Sequence, residues 1–501
     1  MTSQHSTNPD TKNQYNIPDI INDSENIDDF LSRFPGRKVV VVQGLGFVGA
    51  VMSIVCANAD GEDYAVIGID LPSPNSYWKI CEINAGHFPI RSSDPNVGTY
   101  FENARRQGNF YATYDPYAFS KADVIIVDIN LDVDKQNGDL NELLDYDVNL
   151  GGFRKAMESI GQHCREEVLV IVESTVPPGT CHQVVYPVIR KCLADRGLDS
   201  NKLLVGHSYE RVMPGPDYVD SIKNFYRVYS GINEPSADAT ERFLRTFIST
   251  EKYPLTRLGN TNATEMAKVL ENSYRAMNIA FIVEWSRFAE EAGVNLYEVV
   301  NAIRMRPTHS NIMFPGIGVG GYCLTKDALL ASWSRVNLFG STEKLLQSEK
   351  GIAINDLMPW YAFNFIKKQT GGTLQGKKVL ILGVSYRSDV ADTRYSPVEY
   401  LCRFLMKEQA IICLHDPFVG FWEEMSRQVP NNLPEVMSGE IEILVFATSH
   451  GEYRSNSEIY HYIETHPNTW VFDLVGVVPD EFIQNSRNQR IRVLGRGDVG
   501  K

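Results

Sequence analysis

Short apolar runs separated by helix-length segments recur through the first half of the chain. Each run carries apolar side chains at consecutive positions, so both faces of the resulting strand are apolar, as in a parallel sheet. The runs lie at 38–42, 64–69, 124–127, 168–172 and 203–205. This alternation of strands and helices predicts an α/β fold built on a parallel sheet.

A later apolar run repeats the first. Residues 36–44 read GRKVVVVQG and residues 376–383 read GKKVLILG, and each segment is followed by a strand that ends in an aspartate, Asp70 or Asp416. We therefore expect two Rossmann-like, doubly wound parallel-sheet domains. The second copy lacks the full glycine set, which indicates that it binds something other than a dinucleotide pyrophosphate.

One long helix is predicted between the two sheets. The segment Asn262–Ala292 contains no glycine or proline, begins with an Asn-x-x-Glu pattern and ends before Gly293. A helix of this length joins two domains or pairs with its copy in a dimer. The predicted divisions are a polar N-terminal extension (1–35, loosely ordered or a short docking helix), a first Rossmann-like domain (36–258), a central helical domain (259–345) and a second Rossmann-like domain (346–501).

Charge and cysteine content narrow the classes of partner. The 501 residues carry a formal net charge of −14, which argues against nucleic acid, because phosphate backbones bind basic faces. The cysteines form no C-x-x-C pair, so free thiols in a reducing cytoplasm are expected, and no metal site is predicted. The run Val39–Ala59 is almost free of charge, but Gln43, Ser53 and its glycine spacing indicate a buried strand and helix, not a membrane span.

A G-x-G-x-x-G pattern follows the first predicted strand and opens a predicted helix. Its residues are Gly44, Leu45, Gly46, Phe47, Val48 and Gly49. In such a pattern the first glycine makes a tight turn, the second lets the backbone approach a pyrophosphate, and the third permits close helix–strand packing. Asp70, at the end of the next strand, suits the ribose hydroxyls and repels a 2′-phosphate. The pattern therefore predicts a dinucleotide site that prefers NAD to NADP.

Cys323 follows the glycine-rich run Gly316–Gly321 and precedes Lys326 and Asp327. The glycines remove side chains, and we expect this to let substrate approach the sulfur, on the view that such a run has no packing purpose. A nearby ammonium favours the reactive thiolate. The alternative is a buried structural cysteine beside a turn. Combined with a dinucleotide site, the thiol instead indicates oxidation through a covalent thio-intermediate.

Other candidate residues lie on the long helix and after two of the strands. Lys268 and Asn272 are four residues apart on one helix face and suit an oxyanion, although a solvated polar stripe is the alternative. Segments 173–180 and 208–215 each follow a strand, at the edge of the sheet where ligands bind. Glu210 in the second segment suits acid–base work, although either segment also fits a plain turn.

Three arginines are candidate anion ligands. Arg387 and Arg394 follow a strand of the second domain and suit phosphate or carboxylate, or else form salt bridges with Asp389 and Asp392. Arg211, next to Glu210, offers donors for a phosphate.

In this order the motifs resemble those of the UDP-glucose/GDP-mannose dehydrogenase family, over about residues 36–500. The most specific are Gly-x-Gly-Gly-x-Cys-Leu-x-Lys-Asp, Tyr-Arg-x-Asp-x-x-Asp-x-Arg-x-Ser-Pro and Ser-Thr-Val-Pro-Pro-Gly-Thr. The resemblance implies a two-step oxidation of a nucleotide-sugar C6 hydroxymethyl group to a carboxylate with two NAD. It also implies that 36–258 binds NAD, that 259–345 dimerises, and that 346–501 binds a UDP-sugar, in a homodimer or larger homo-oligomer.

The resemblance also implies a role for each matching residue. Cys323 resembles the nucleophile that traps the aldehyde as a thiohemiacetal and then carries the thioester. Lys268 and Asn272 resemble the pair that stabilises the alkoxide and oxyanion, and Asp327, Thr175 and Glu210 resemble the residues that handle water and assist hydrolysis. The cofactor-binding set adds Thr175, Lys326 and Arg394 to the glycine run and Asp70. The substrate-binding set comprises Glu210, Arg211, Lys268, Asn272, Phe314, Gly320 and Arg387.

Several positions depart from the family pattern. The usual Val-Pro-Thr-Pro is replaced by Asp128–Asp132, which leaves the NAD contacts of that loop undetermined, and Thr325 replaces a proline. Pro214 stands where the UDP-glucose branch has a glutamate, and Val319 stands where that branch commonly has a phenylalanine. Both changes resemble the enzymes that act on UDP-N-acetylhexosamines, UDP-GlcNAc or UDP-ManNAc, and a smaller residue at 319 leaves room for an acetamido group.

Two alternative functions stay open from the sequence. One is UDP-glucose 6-dehydrogenase, which uses the same motifs on another sugar. The other is a catalytically silent nucleotide-binding sensor, which would keep the glycine run but would have no use for the retained nucleophile and its charged neighbours.

Overall fold

The computed structural model describes residues 4–9, 11–209, 211–212 and 215–498, and these fall into two compact units. The first unit comprises the chain up to Asp132, together with Val148–Val269 and Trp333–Thr342. The second unit comprises Val133–Asp147, Leu270–Ser332 and the chain from Glu343 onward.

The first unit is built on an eight-stranded sheet. In spatial order its strands are Thr256–Arg257, Val228–Gly231, Leu204–His207, Leu169–Val172, Val124–Val127, Lys38–Gln43, Tyr64–Ile69 and Phe110–Thr113. The second and third strands of this order are antiparallel to each other, and the other neighbours are parallel. The six strands from Leu204–His207 to Phe110–Thr113 have the Rossmann order, which reverses between Lys38–Gln43 and Val124–Val127. Ligands of such sheets bind beyond the carboxyl ends of the strands at this reversal.

Helices connect the strands of the first unit and complete its apolar core. They are Ser24–Ser32, Gly49–Ala57, Tyr77–Asn84, Pro95–Gln107, Gly151–His163, Tyr186–Asp195, Asp220–Lys223 and Glu234–Leu244, with short 3₁₀ and π turns at Pro116–Lys121 and Cys181–Val185. Gly49–Ala57 is buried at every position because it packs on the strands Lys38–Gln43 and Tyr64–Ile69. An antiparallel hairpin, His5–Thr7 with Gln14–Asn16, precedes the first helix.

The second unit is built on a five-stranded parallel sheet. Its strands in spatial order are Ile411–His415, Lys378–Leu382, Ile443–Phe446, Trp470–Asp473 and Ile491–Val493. This is the flavodoxin-like version of the doubly wound order, and it reverses between Lys378–Leu382 and Ile443–Phe446. The helices are Leu296–Arg304, Leu346–Gln369, Pro397–Lys407, Leu433–Met437, Gly451–Ser455, Ser457–Thr465 and Asp480–Asn485, with a 3₁₀ turn at Pro307–His309. Two hairpins, Asp134–Asn137 with Leu143–Asp147 and Phe421–Trp422 with Arg427–Gln428, complete the unit.

The long central helix spans Thr261–Ala292, with its first residues in the first unit and the rest in the second. It agrees with the predicted segment because no residue inside it breaks the backbone hydrogen bonds. The predicted fold class, two doubly wound α/β sheets and a long central helix, is confirmed. A second helix, Asp327–Asn337, also has residues in both units. Among the residues that the structure describes, no helix is both long and apolar enough to cross a membrane.

Candidate active site

The three glycines of the dinucleotide pattern meet different constraints. Gly44 has a φ of +99°, and a Cβ there would lie 2.2 Å from the carbonyl oxygen of Asp128. A Cβ at Gly49 would lie 1.9 Å from the carbonyl oxygen of Gly44. A Cβ at Gly46 would meet nothing within 4 Å. Packing therefore requires the first and third glycines, whereas Gly46 borders open space of the kind that a pyrophosphate fills.

Asp70 lies at the carboxyl end of the next strand and is held by three contacts. Its carboxylate accepts the backbone N–H groups of Leu45 (3.1 Å) and Leu71 (2.8 Å), and Lys79 Nζ lies 3.3 Å from its Oδ2. The Lys79 and Asp70 side chains are 18% and 13% exposed, so the pair still meets solvent. These residues fit the ribose of NAD. Sequence reasoning missed Lys79, although a lysine on the helix directly after the Asp70 loop was a usable signal.

The segment that carries Thr175 is fixed by a buried glutamate of the central helix. Glu265 accepts the N–H groups of Gly179 (2.6 Å) and Cys181 (2.7 Å), and it is 1% exposed. Burial raises the pKa of Glu265 to about 7, against the lowering effect of these hydrogen bonds. At the other end of the segment, Ser174 Oγ accepts the N–H of Ile129 (2.9 Å), which lies in the loop that departs from the family pattern.

Lys268 is a buried cation on the same helix. It is 8% exposed, and its Nζ lies 5.5 Å from the centre of the Tyr209 ring. His207, fully buried, places Nδ1 2.9 Å from Thr264 Oγ1. Burial, and after it the charge of Lys268, lowers the pKa of His207 to about 3. His207 is therefore neutral at physiological pH.

Arg211 is held between two aromatic rings of the first unit. Its guanidinium carbon lies 5.7 Å from the ring centres of both Tyr209 and Phe225. Two positions that the sequence analysis used, Glu210 and Pro214, lie outside the described residues.

In the second unit Cys323 lies in the turn that precedes the helix Asp327–Asn337. The carbonyl of Cys323 accepts the N–H groups of Lys326 (3.3 Å) and Asp327 (3.0 Å). Asp327 is fully buried, and its carboxylate accepts Asn272 Nδ2 (2.6 Å) and pairs with Lys326 Nζ (3.1 Å). Asp327 therefore joins the amide of Asn272 to the ammonium of Lys326 directly after the turn that carries Cys323.

The glycines before Cys323 allow neighbouring parts of the same chain to pack closely against the backbone. A Cβ at Gly318, whose φ is +113°, would lie 2.9 Å from the carbonyl oxygen of Asn355. A Cβ at Gly320 would lie 2.6 Å from Tyr386 Cβ, and one at Gly321, whose φ is +82°, would lie 2.7 Å from the Tyr386 ring. The expectation that this run has no packing purpose is wrong, because three of its glycines are required by the neighbouring loop and helix.

The loop between Cys323 and the helix is tied to its surroundings by Thr325. Its hydroxyl donates to the carbonyl of Gly321 (2.9 Å), which restrains the loop at the position where Thr325 replaces the proline of the family pattern described above. Lys135, from the hairpin that starts at Asp134, lies 3.4 Å from the carbonyl of Thr325 and pairs with Asp356 at 2.5 Å. Sequence reasoning missed Lys135, because its partners lie far away along the chain.

The two arginines of the second unit differ in their surroundings. Arg394 forms a bidentate pair with Asp392 (2.9 and 2.6 Å), and its carbonyl accepts the N–H of Gly321 (3.1 Å). Burial lowers the pKa of Arg394, but the hydrogen bonds and charge of Asp392, with smaller effects of Tyr386 and Cys323 in the same direction, together raise it above its usual value. Arg394 is thus within electrostatic reach of the thiol, whereas Arg387 is exposed.

Asp416, which follows the second strand of the second sheet, differs from Asp70 of the first sheet in its burial and its contacts. Asp416 is fully buried, and its carboxylate accepts the N–H groups of Val384 (2.9 Å) and Ser385 (3.2 Å) and contacts His450 Nε2 (3.1 Å). Asp70, by contrast, stays accessible at its edge of the first sheet. This burial agrees with the expectation that the second sheet binds something other than a dinucleotide.

Phe314 lies beside the helix Leu296–Arg304. Its ring stacks at 5.9 Å on the ring of Tyr297, and Arg304 lies 4.8 Å from its centre. Its predicted contact with substrate stays a prediction.

The predicted residues divide between the two units. The first unit carries the turn Gly44–Gly49, Asp70, Thr175 and Lys268. The second unit carries Asn272, Cys323, Lys326, Asp327 and Arg394. Within the described part of the chain, no group of three or more His, Cys, Asp or Glu side chains is placed to hold a metal ion.

Comparisons with known proteins identify the family of the chain. Three domain models of the UDP-glucose/GDP-mannose dehydrogenase family match in order: the NAD binding domain at 38–248, the central domain at 262–350 and the UDP binding domain at 380–480. The chain is 29% identical over 465 residues to UDP-N-acetyl-D-mannosamine dehydrogenase of Methanocaldococcus jannaschii, across 92% of this chain and 97% of that protein. It is 25% identical over 424 residues to NDP-N-acetyl-D-galactosaminuronic acid dehydrogenase of Ralstonia nicotianae, across 83% and 92%. The solved UDP-D-ManNAc dehydrogenase of Pyrococcus horikoshii has a TM-score of 0.75 at 26% identity and covers 92% of this chain and 100% of its own.

Proposed function

The chain belongs to the UDP-glucose/GDP-mannose dehydrogenase family, and from this premise we propose that it oxidises the C6 hydroxymethyl group of a UDP-N-acetylhexosamine to a carboxylate. The complete reaction converts RCH₂OH, water and two NAD⁺ into RCOO⁻, two NADH and three protons. The observation that carries the proposal is the buried carboxylate of Asp327, which joins Asn272 to Lys326 on the turn that bears Cys323.

In the first oxidation the alcohol becomes an aldehyde. One NAD, when bound, would accept the hydride of this step, and a second NAD would accept the hydride of the second oxidation. Gly46 leaves space for the pyrophosphate, and Asp70 presents its carboxylate to the ribose hydroxyls. Lys268 is the buried cation that stabilises the alkoxide as the hydroxyl proton leaves.

The second oxidation takes place on the protein. The thiolate of Cys323 adds to the aldehyde carbon, and the new C–S bond gives a thiohemiacetal whose oxyanion Lys268 and Asn272 stabilise. Loss of the second hydride leaves a thioester. Water then attacks the thioester carbon, the C–S bond breaks, and the thiolate departs. Asp327 takes the proton of the water, with Thr175 and Glu210 in support.

We propose an N-acetylated sugar as the substrate for two reasons. The relatives named above act, by their names, on UDP-N-acetyl-D-mannosamine or on an NDP-N-acetylgalactosaminuronate. Val319 is smaller than phenylalanine, and Arg211 offers hydrogen-bond donors that suit an acetamido carbonyl. A site that bonds the acetamido group disfavours a sugar without it, because buried polar groups would lose their partners.

The test is NADH formation with UDP-GlcNAc, UDP-ManNAc, UDP-glucose and GDP-mannose under identical conditions. We expect kcat/KM to be highest for an N-acetylated UDP-sugar, with two NADH formed per sugar consumed. Equal or better turnover of UDP-glucose would favour UDP-glucose 6-dehydrogenase. Tight NADH and UDP binding without turnover of any sugar would favour the silent sensor.

We also propose that the active form is a homodimer formed through the central helix. Five large apolar side chains follow one another on its exposed face at helical spacing, each 47–63% exposed: Leu270, Tyr274, Phe281, Trp285 and Phe288. A contiguous apolar stripe of this kind marks an interaction surface. A second copy of the same helix is the proposed occupant, because two-fold pairing lets the same stripe serve as both partners.

The proposed compartment is the cytoplasm. All eight cysteines are present as thiols, which suits a reducing compartment. Fractionation of cells that produce the chain tests this assignment, and recovery in an oxidising compartment with disulfides formed would contradict it.

A further inference from the structure

The N-terminal hairpin packs on the helix that follows Asp70. Ser6 of the hairpin is fully buried, and its hydroxyl donates to the carbonyl of Pro74 (2.8 Å) and accepts the N–H of Trp78 (3.0 Å). One side chain thus joins the loop after Asp70 to the first turn of the helix Tyr77–Asn84.

This contact replaces a missing helix cap. Ser76 occupies the N-cap position of the helix, but its side chain forms no capping hydrogen bond. Helix N-termini leave backbone N–H groups without a partner inside the helix, and a side-chain oxygen normally satisfies one of them. Here Ser6, a residue far away along the chain, supplies that oxygen to the N–H of Trp78.

The hairpin also holds the far end of the same helix. Glu82 is 3% exposed, and one of its carboxylate oxygens accepts Asn8 Nδ2 (2.7 Å) and Tyr15 OH (2.8 Å). Because an unpaired buried carboxylate is costly, these two bonds fix the hairpin and the helix to each other.

The helix held in this way carries Lys79, whose Nζ lies 3.3 Å from Asp70 Oδ2. Asp70 in turn accepts the N–H of Leu45 in the glycine turn. We propose that the N-terminal hairpin is a positioning element for the adenosine side of the NAD site, acting through the loop 71–76 and Lys79. This inference deepens the proposed function and rests on it only in taking NAD as the ligand.

The test uses the full chain with Ser6→Ala and measures binding without turnover. We expect NADH and ADP-ribose to bind about fivefold more weakly, because two hydrogen bonds that fix the loop are lost. The affinity for UDP should stay unchanged, since its predicted site lies in the other unit. Ser6→Thr, which keeps the hydroxyl, should restore NADH affinity. Ser32→Ala is the matched control, because that exposed serine donates to Asp29 of its own helix.

A purely structural role predicts a different result. It would lower the melting temperature and weaken NADH and UDP together, and this outcome would overturn the proposal. NADH affinity unchanged in both Ser6→Ala and Asn8→Ala would also overturn it. Failure of the proposed function is separate: if no UDP-sugar is oxidised while NADH and ADP-ribose respond as expected, the sugar assignment falls and the positioning role stands.

Discussion

At the scale of single residues, the thiol of Cys323 is the group on which the proposed chemistry depends. Cys323→Ser should reduce acid formation by on the order of 10³-fold or more, because a hydroxyl does not replace the thiolate as a trap for the aldehyde. Binding of NADH and UDP should be retained, because the substitution leaves the glycine turn Gly44–Gly49 and the loop that carries Arg387 and Arg394 unchanged. Uronate formation by mass spectrometry and ligand binding by calorimetry measure both effects.

Cys413→Ser is the matched control for this variant. Cys413 is a partly buried thiol on the strand Ile411–His415 and has no proposed catalytic role. Its variant should keep full activity. Uronate formation by Cys323→Ser near the wild-type rate would rule out the covalent route.

A second prediction at this scale concerns Glu265 and the dependence of the free energy of unfolding on pH. Its pKa is raised by burial to about 7, above an unfolded value of 4.5. The folded state therefore binds the proton more tightly than the unfolded state. Protonation of Glu265 therefore adds to the free energy of unfolding. This contribution is fully present below pH 4.5 and is lost as the pH rises through about 7, at up to about 1.4 kcal/mol per pH unit.

Glu265→Gln removes this titration. The difference in unfolding free energy between wild type and variant should therefore shrink between pH 5 and 7 and then stay level, as measured by urea unfolding. Glu290, whose pKa burial also raises to about 7, titrates in both proteins and cancels in the difference. Glu291→Gln, at an exposed position of the same helix, is the control. A difference that does not change with pH would show that Glu265 titrates alike in both states.

At the scale of elements, the central helix carries the prediction for assembly. Trp285→Glu should convert the dimer to a monomer, because a charge in the middle of the apolar stripe would be buried without a partner in the paired state. Its ring centre lies 6.0 Å from those of both Phe281 and Phe288, so the substitution disrupts the centre of the aromatic group. Light scattering coupled to gel filtration measures the mass.

Ile411→Asp is the control for this substitution. It places the same kind of charge at an exposed apolar position of the second sheet, where Ile411 is 56% exposed. The control should remain a dimer. A dimer retained in Trp285→Glu would exclude this face as the interface.

At the scale of the whole molecule, the two sheets are predicted to bind separate ligands. Gly46→Val should abolish stabilisation by NADH while leaving the fold intact, because the new side chain meets only the open space of the turn. Arg387→Ala should instead abolish stabilisation by UDP. In the wild type, each ligand at 100 times its Kd should add about 2.7 kcal/mol.

Thermal unfolding with each ligand separates these effects. Gly98→Val, at another glycine whose Cβ would meet nothing within 4 Å, is the control for tolerance of a side chain. If Gly46→Val removed both ligand responses, the two sites would not be independent.

The sequence by itself determined the elements. The apolar runs at 38–42 and 376–383 predicted strands because a strand buried on both faces needs apolar residues at every position. The central helix was predictable because Asn262–Ala292 contains neither glycine nor proline. The glycine turn and Asp70 were also predictable, because each residue meets a local condition of backbone geometry or charge.

Only the tertiary structure decided what depends on partners distant along the chain. The two sheets have similar first strands, yet one has the Rossmann order and the other the flavodoxin-like order. Asp70 and Asp416 end equivalent strands, but only Asp416 is fully buried, with His450 beside it. The glycines before Cys323 were attributed to substrate because nothing local reveals that the ring of Tyr386 fills their space. Such contacts join residues that are far apart along the chain and form only when long loops close. A local pattern of apolar and polar residues therefore does not predict them.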